Sequence, residues 1–492
     1  MIYGGSIMSV GSSIGIDFGT TNTSVVRIDK NSYGEKMTIL GEDGEFPFAS
    51  LLAVLPDNRV EFGNKVKSKR DEYSEKHQLV SSFKSLLGTN KKVVLNGIEF
   101  TPSQIVTQYF KCMKQYIKQK HGIQIEEVSL SFPVDFTAKA RCDLRLAAER
   151  AGLKVKYLVS ESTAAYLATC KDVKGLSRIM VIDWGGGTLD ISILESEGSK
   201  LREVSVFGEK IGGDDIDTEL AQRVHSVINL KTADSDKRLS FSEMPAPQRD
   251  KIVSRCEEAK IQISEDGDEY PLTLRNYGDY GTKTIPISSD MFEDIVKPII
   301  RNRVLKTINS AMERAELTKS SIDAVIIAGG SSNLRPFADA ITNLFGRDKI
   351  IIPDKVQFVS AKGAALMPFI GGEFKLSDDV GIVMSDNTIF PILHKNKDGV
   401  GSKSNRFTFS LTEDSPDAHF IITNGDGRIV YDKMNIPTKG FLQERLEVTA
   451  EIDKDQIANI KIHNNTVADE LKDSKIKIHN LTFYYDLSAI GK

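Results

Sequence analysis

With four cysteines in 492 residues, at positions 112, 142, 170 and 256 and with no Cys-x-x-Cys pair, the chain has little to build a disulfide framework or a thiolate zinc site from, and a reducing compartment suits it. It lacks any apolar run near the roughly 20 residues that span a bilayer. Residues 1–13 also lack the basic start and long apolar centre of a signal peptide. A cytoplasmic protein with no membrane partner is expected, starting at Met1 or Met8. A basic surplus is missing too: the formal net charge is −4, so nucleic acid is not an expected partner. The basic run at residues 65–70 reads as solvated surface. What is present, 40% hydrophobic and 27% charged residues, is the composition of a well-packed chain long enough for about three domains.

The stretch Ile14-Gly15-Ile16-Asp17-Phe18-Gly19-Thr20-Thr21-Asn22-Thr23-Ser24-Val25-Val26 reads as strand, tight polar turn and strand. Gly19 lets backbone N–H groups approach an anion, Thr20 and Thr21 bring hydroxyl donors, and Asp17 is suited to hold a hydrated magnesium ion. By local pattern alone, an ordinary threonine-rich hairpin reads equally well. The same order of apolar residue, aspartate, aromatic and glycine returns in Ile182-Asp183-Trp184-Gly185, followed by Gly186-Gly187-Thr188. Two such turns in matching register imply an internal duplication. They also imply a nucleotide phosphate tail gripped from both sides in a cleft between similar lobes.

Around these copies, strand and helix patterns alternate. Thr101-Pro102-Ser103-Gln104 opens a helix to about residue 119. Residues 128–132 form a strand stopped by Pro133, and residues 137–151 a helix closed by Gly152. Ser160-Glu161-Ser162-Thr163-Ala164-Ala165 starts a helix with small residues on its packing face, and Glu161 brings a carboxylate to a strand end. Gly212-Gly213 is a further turn before a helix. On the helix at residues 249–264, Glu257, Lys260 and Ser264 share one face, readable as a solvated pair or as ribose and base contacts. Residues 291–315 are helical with an interruption at Pro298, and Gly329-Gly330-Ser331 after a buried strand lets a flat ligand approach the backbone. Lys84, among apolar neighbours in Phe83-Lys84-Ser85-Leu86-Leu87, reads locally as a snorkelling surface lysine. From residue 371 strand alternation takes over, at 406–411, 446–452 and 475–478, with a hairpin turn at Asn424-Gly425-Asp426-Gly427.

Five of these motifs, in order, resemble the seventy-kilodalton heat-shock chaperone family, which shares its nucleotide-binding fold with actin and the sugar kinases. The resemblance covers residues 14–369 and, more loosely, the chain to about residue 463. It implies an α/β fold: an actin-like, duplicated, two-lobed ATPase domain at residues 14–370, a linker region at 371–384, and a reduced β-rich, sandwich-like peptide-binding domain at 385–492. It further implies ATP hydrolysis with Mg2+, coupled to the binding of a polypeptide client or a specific protein partner. A J-domain protein and a nucleotide exchange factor are implied as additional partners. Asp17 and Asp183 would hold the metal through water, Lys84 would reach the γ-phosphate, and Glu161 would share that cleft. Thr188, with Thr20 and Thr21, would touch phosphates or the attacking water. Gly19, Asn22, Gly185, Gly186, Gly187, Gly212 and Gly213 would surround the phosphates of ATP or ADP, and Glu257, Lys260, Ser264, Gly329, Gly330 and Ser331 its nucleoside. Pro133 and Arg141 match a pair that relays nucleotide state in the family.

The chain departs from the family at three places. Ile261 and Asn333 stand where family members commonly place arginine against the adenine, which implies weaker nucleotide binding unless Arg335 substitutes. The leucine-rich linker is reduced to Leu376-Ser377-Asp378-Asp379-Val380-Gly381-Ile382-Val383-Met384. After the β segment only a short, strand-like tail follows, so no helical lid is expected and a bound peptide would exchange quickly. Two other readings stay open: a nucleotide-regulated binding module or exchange-factor-like partner with little turnover, and a sugar-kinase-type phosphotransferase.

Overall fold

In the computed structural model, which describes residues 11–232, 238–267, 269–465 and 474–488, the first hairpin forms the middle of a six-stranded sheet. β1 (Gly11–Phe18) and β2 (Asn22–Asn31) pair antiparallel, and β3 (Gly34–Ile39) continues the meander. On the other side of β1, α1 (Pro102–His121) precedes β4 (Glu127–Phe132), and α2 (Ala138–Arg150) leads to β5 (Lys154–Ser160). The order is β5-β4-β1-β2-β3, with β4 parallel to β1, β5 parallel to β4, and the two-residue strand Phe48–Ala49 beside β2. α1 begins where its sequence requires. Thr101 accepts from the Gln104 N–H, Gln104 reaches back to the Thr101 N–H, and Pro102 takes a first-turn position where its missing N–H costs nothing. Both candidate starts, Met1 and Met8, lie outside the described residues.

After α3 (Glu161–Ala168), the same topology is built again. β6 (Arg178–Trp184), β7 (Leu189–Glu197) and β8 (Lys200–Glu209) repeat the meander. α4 (Gly213–Lys231) and α5 (Ala246–Asp266) come next, then β9 (Ala324–Ala328) lies parallel to β6 as β4 does to β1. α6 (Arg335–Phe345) leads to β10 (Ile350–Ile351), parallel to β9. α7 (Val359–Ile370) then packs on α3 between the sheets. A Cβ on Gly363 of α7 would lie 1.8 Å from the Ala164 carbonyl oxygen of α3, so the small residues here permit contact that larger ones would block. Residues 291–315 are not broken at Pro298: helix Ser289–Ile299 passes through a π turn, Ile300–Val304, into helix Leu305–Arg314. The helical path therefore continues past the proline, with one widened turn following it.

From residue 373 onward the strands are β11 (Glu373–Leu376), β12 (Val380–Val383), β13 (Ile389–Leu393), β14 (Asn405–Ser410), β15 (Asp417–Asn424), β16 (Val430–Pro437), β17 (Arg445–Ile452), β18 (Ala458–Asn464), β19 (Ser474–Ile478) and β20 (Phe483–Asp486). Two antiparallel four-stranded sheets, β13-β12-β15-β16 and β14-β17-β18-β19, share one core that joins Ile382, Ile392 and Ile422 to Val448, Ile460 and Ile476. β17 buries every second residue, as a strand with one core face must. Two stretches sit otherwise than the expected division. Val380–Val383, placed in the linker region, is an inner strand of this β unit, and Phe483–Asp486 leaves the unit to join the seven-stranded sheet β10-β9-β6-β7-β8-β20-β11. Local alternation identifies a strand, but its neighbour is chosen by which faces become buried. Among the described residues no helix is long and apolar enough to cross a membrane.

Candidate active site

The two duplicated turns meet. In each hairpin the aspartate one residue before the end of the first strand pairs with a residue seven positions on, Asp17 with Ser24 and Asp183 with Asp190. A Cβ on Gly186 would lie 2.2 Å from Oγ1 of Thr21, so the second turn is glycine-rich because the first presses threonines against it. Thr21 Oγ1 also donates to Asp214 at the start of α4 (2.9 Å). Beside these turns lies a cavity of about 640 Å³. Asp17, Gly19, Thr20, Thr21 and Asn22 line it from one side, Asp183, Gly185, Gly186, Gly187 and Thr188 from the other, together with Lys84 and Glu161. Gly212 and Gly213 do not line it. They back the second turn instead, where the Gly213 N–H donates to the Gly185 carbonyl (3.1 Å).

Lys84 is buried, with Nζ 2.9 Å from Glu161 Oε1 and 5.7 Å from the centre of the Phe136 ring. The surface reading of this lysine is therefore wrong: the turn Phe83–Leu86 carries it inward behind Phe83, whose ring packs on Phe18 and Tyr109. Asp17 accepts from the Ser131 hydroxyl (2.9 Å). Four carboxylates, those of Asp17, Glu161, Asp183 and Asp190, thus gather around one lysine. Burial, reinforced by Asp17 and Asp190, pushes Asp183 up to about 7. Burial and the charge of Asp135 push Asp190 up to about 6, although the Thr188 hydroxyl bonds it. Burial likewise raises Glu161, against the pull of Lys84. Lys84 keeps its proton because Glu161 and Asp17 together outweigh the burial that opposes its charge. Surplus negative charge of this kind fits a hydrated divalent cation.

These shifts set a pH dependence. A carboxyl raised in the fold binds its proton more tightly there than in the unfolded chain. Its stabilising contribution is full below about pH 4 and is lost as pH climbs through 6 and 7. Without nucleotide or divalent cation, thermal melting should fall between pH 5 and pH 8 by roughly a few degrees. Asp183→Asn should flatten that slope, and a melting temperature that rises over this range would contradict the charge assignment.

The other end of the cavity is lined by Glu257, Lys260, Ile261 and Ser264 of α5, with Gly329, Gly330, Ser331 and Asn333 opposite. Lys260 donates to Asp217 (2.7 Å) and to the Gly213 carbonyl (3.0 Å), and Glu257 accepts from Lys67 (2.6 Å). Lys67 therefore belongs to a bridge between the short helices at 64–75 and α5, as does Arg70 at 3.7 Å from Asp250, and the basic run is not merely solvated. Ser331 Oγ donates to the Gly185 carbonyl (2.8 Å), tying this end to the second turn. Ile261 is 44% exposed. The guanidinium of Arg335 sits against Gly267, and Arg335 is not among the residues that line the cavity.

Three lining carboxylates were not assigned from the sequence, Asp190, Asp214 and Glu265. The hairpin register held the signal for the first: position 190 stands opposite 183 as 24 stands opposite 17. Arg145 was also overlooked. It lies one helical turn beyond Arg141 on α2 and donates to Asp455 Oδ1 (2.5 Å) and the Lys454 carbonyl (2.6 Å) of the turn between β17 and β18. Arg141 reaches the same turn through the Asp455 carbonyl (3.3 Å).

Comparison with known proteins agrees with this assembly. The chain is similar to the chaperone protein DnaK of Mycoplasmopsis agalactiae, 26% identical over 498 aligned positions that cover 95% of this chain and 79% of that one. A sequence profile of the family HSP70, described as Hsp70 protein, matches residues 89–483, which is most of the chain and takes in the second aspartate turn and most of the β unit, while the first turn and Lys84 precede the matched residues. The protein belongs to the Hsp70 family.

Proposed function

We propose that the protein is an ATP-dependent chaperone, a magnesium-dependent ATPase whose nucleotide state governs polypeptide binding by its β unit. The observation that carries this reading is the convergence of two duplicated aspartate turns on one cavity that also holds Lys84 and Glu161. On this reading residues 14–370 are an actin-like, two-lobed nucleotide domain, each lobe built around one sheet. The two antiparallel sheets from β12 to β19 are the peptide-binding sandwich, joined through residues 371–379.

Bound magnesium supplies positive charge that offsets the charge on the transferring phosphoryl group. Asp17 and Asp183, near the two strand ends, would hold its water shell. The backbone of Gly185, Gly186 and Gly187 and the hydroxyls of Thr20 and Thr21 position the phosphates. Lys84 adds a fixed cation at the γ-phosphate, and Thr188, bonded to Asp190, orients the attacking water. Glu257, Lys260 and Ser264 face the ribose and base, with Ile261 as an apolar cover. Membership of the Hsp70 family supports J-domain and exchange-factor partners and a cytoplasmic setting as parts of this reading.

Steady-state turnover of MgATP, with and without an unfolded polypeptide and against a panel of sugars, tests this function. Turnover without sugar and accelerated by polypeptide is expected. Phosphorylation of a sugar would overturn the reading in favour of a kinase, and tight binding without turnover in favour of a regulatory module. The apolar base cover gives a second test. Ile261→Arg should lower the Kd for ADP by about 2- to 30-fold, the 0.5 to 2 kcal/mol of a guanidinium over an aromatic base. Trp184 emission is a suitable reporter, since its indole N–H donates to the Ile211 carbonyl (3.2 Å) beside the second turn. Unchanged affinity would show that the base does not lie on this residue.

A further inference from the structure

We infer that β20 is a lock: it holds the incoming strand β11 to the nucleotide domain, so that β11 and β20 are bound to β8 as one ribbon and leave it together. The chain enters the β unit through β11 and returns from it as β20. β11 does not pair with β8, because β20 lies between them. On one side Asp486, Tyr485 and Tyr484 pair with Lys200, Leu201 and Arg202. On the other the same three residues pair with Glu373, Phe374 and Lys375, and Phe483 pairs with Leu376. The ladder runs on at both ends, from the Leu487 N–H to the Ser199 carbonyl (2.7 Å) and from the Ser377 N–H to the Thr482 carbonyl (3.0 Å).

Side chains fasten the same three strands. Asp486 accepts from Lys375 on β11 (2.9 Å) and from the Ser199 hydroxyl at the start of β8 (3.1 Å), so one carboxylate bridges both neighbours. Tyr485 is 1% exposed, its ring tilted against that of Phe374 with centroids 4.9 Å apart, and clustered with Leu201. Tyr484, on the opposite face as strand alternation requires, carries Lys200 over its ring at 5.2 Å. The outer side of β11 is covered by the β unit itself: the Leu376 N–H donates to the Asp398 carbonyl (2.9 Å) and the Val400 N–H to the Phe374 carbonyl (3.0 Å). A continuous hydrogen-bonded path therefore leads from β6, which carries Asp183, through β7, β8, β20 and β11 into the β unit. An unpaired β8 would be an open edge able to capture a strand, and β20 fills it from within the same chain. The β unit can then separate from the nucleotide domain only by hinging beyond the ribbon or by unzipping both strands.

The inference rests on strand pairing and not on what the cavity binds, so its test needs no nucleotide. Hydrogen–deuterium exchange of the full-length protein should show the amides of 373–376 and 483–486 exchanging at the same rate. Asp486→Lys, which sets two cations side by side, should speed both segments by about tenfold, with β6 and β7 unchanged. Adding Lys375→Asp should restore both. Tyr485→Ala, which empties the buried ring site, should again speed both segments together. If either variant frees β20 while β11 stays protected, or if neither variant moves either segment, the lock is overturned and β20 is only an added edge strand.

Discussion

Lys84→Ala is expected to slow MgATP hydrolysis by about 10²- to 10³-fold while changing nucleotide affinity far less. Removing one preorganised group that meets charge developing in the transition state typically costs about that much. Lys84 is suited to the role by position and by the lack of a substitute. Among the described residues lining the cavity, the other lysines are Lys260, held by Asp217, and Lys355, engaged with Glu45. No arginine lines it among those residues. Its ammonium is placed rigidly, buried at 2.9 Å from Glu161 with Phe83 wedged against Phe18 and Tyr109 beneath it. The variant also leaves the acidic cluster without its cation, so it should melt lower than the wild type until magnesium is added. Single-turnover hydrolysis at saturating ATP checks the rate, and wild-type hydrolysis by Lys84→Ala would remove this residue from the chemistry.

Arg145→Ala should release the β unit from the nucleotide domain and abolish acceleration of ATP turnover by polypeptide. Arg145 is 6% exposed and divides its guanidinium between the Val155 carbonyl of its own domain (3.2 Å) and the 454–455 turn of the other. That turn is preorganised: Asp453 accepts from the Asp455 N–H (2.9 Å) and the Ile457 N–H (3.1 Å). Arg145 is buried but Asp455 is partly exposed, so losing these charge-assisted hydrogen bonds costs about 1.5 to 3 kcal/mol. At the upper end, about 3 kcal/mol, the docked fraction shifts more than 100-fold. Asp455→Ala should act alike. Arg141→Ala removes one longer bond to a carbonyl and should do much less. Small-angle scattering reads the separation directly, and a compact Arg145→Ala protein with intact stimulation would contradict the docking role.

The contrast between Arg141 and Arg145 shows what the sequence makes legible. Tight turns announce themselves, because Gly19, Gly185 and Gly186 are needed at fixed offsets from an aspartate and the offsets recur. The duplicated strands around them follow the same rule, as do helix starts such as Thr101-Pro102. Long-range partners leave no such mark. Arg145 sits on α2 like any helical arginine until Asp455, 310 residues away, is folded beside it. Lys84 looks like a surface lysine until Glu161 and Asp17 surround it, and only resemblance to a family pointed inward. Phe483-Tyr484-Tyr485-Asp486 reads as a strand, yet nothing local says that it joins β8 and β11 instead of the sheets it follows. Asp190 was legible in principle, since the register of the second hairpin sets it opposite Asp183.

The central claim is that the cavity and the β unit are parts of one nucleotide-driven cycle. Equilibrium affinity of the full-length protein for an unfolded polypeptide, measured with MgATP and with MgADP, tests it most directly. The account predicts clearly different affinities in the two states, a difference that Arg145→Ala erases. Equal affinities in both states, in a protein that turns over ATP, would contradict it.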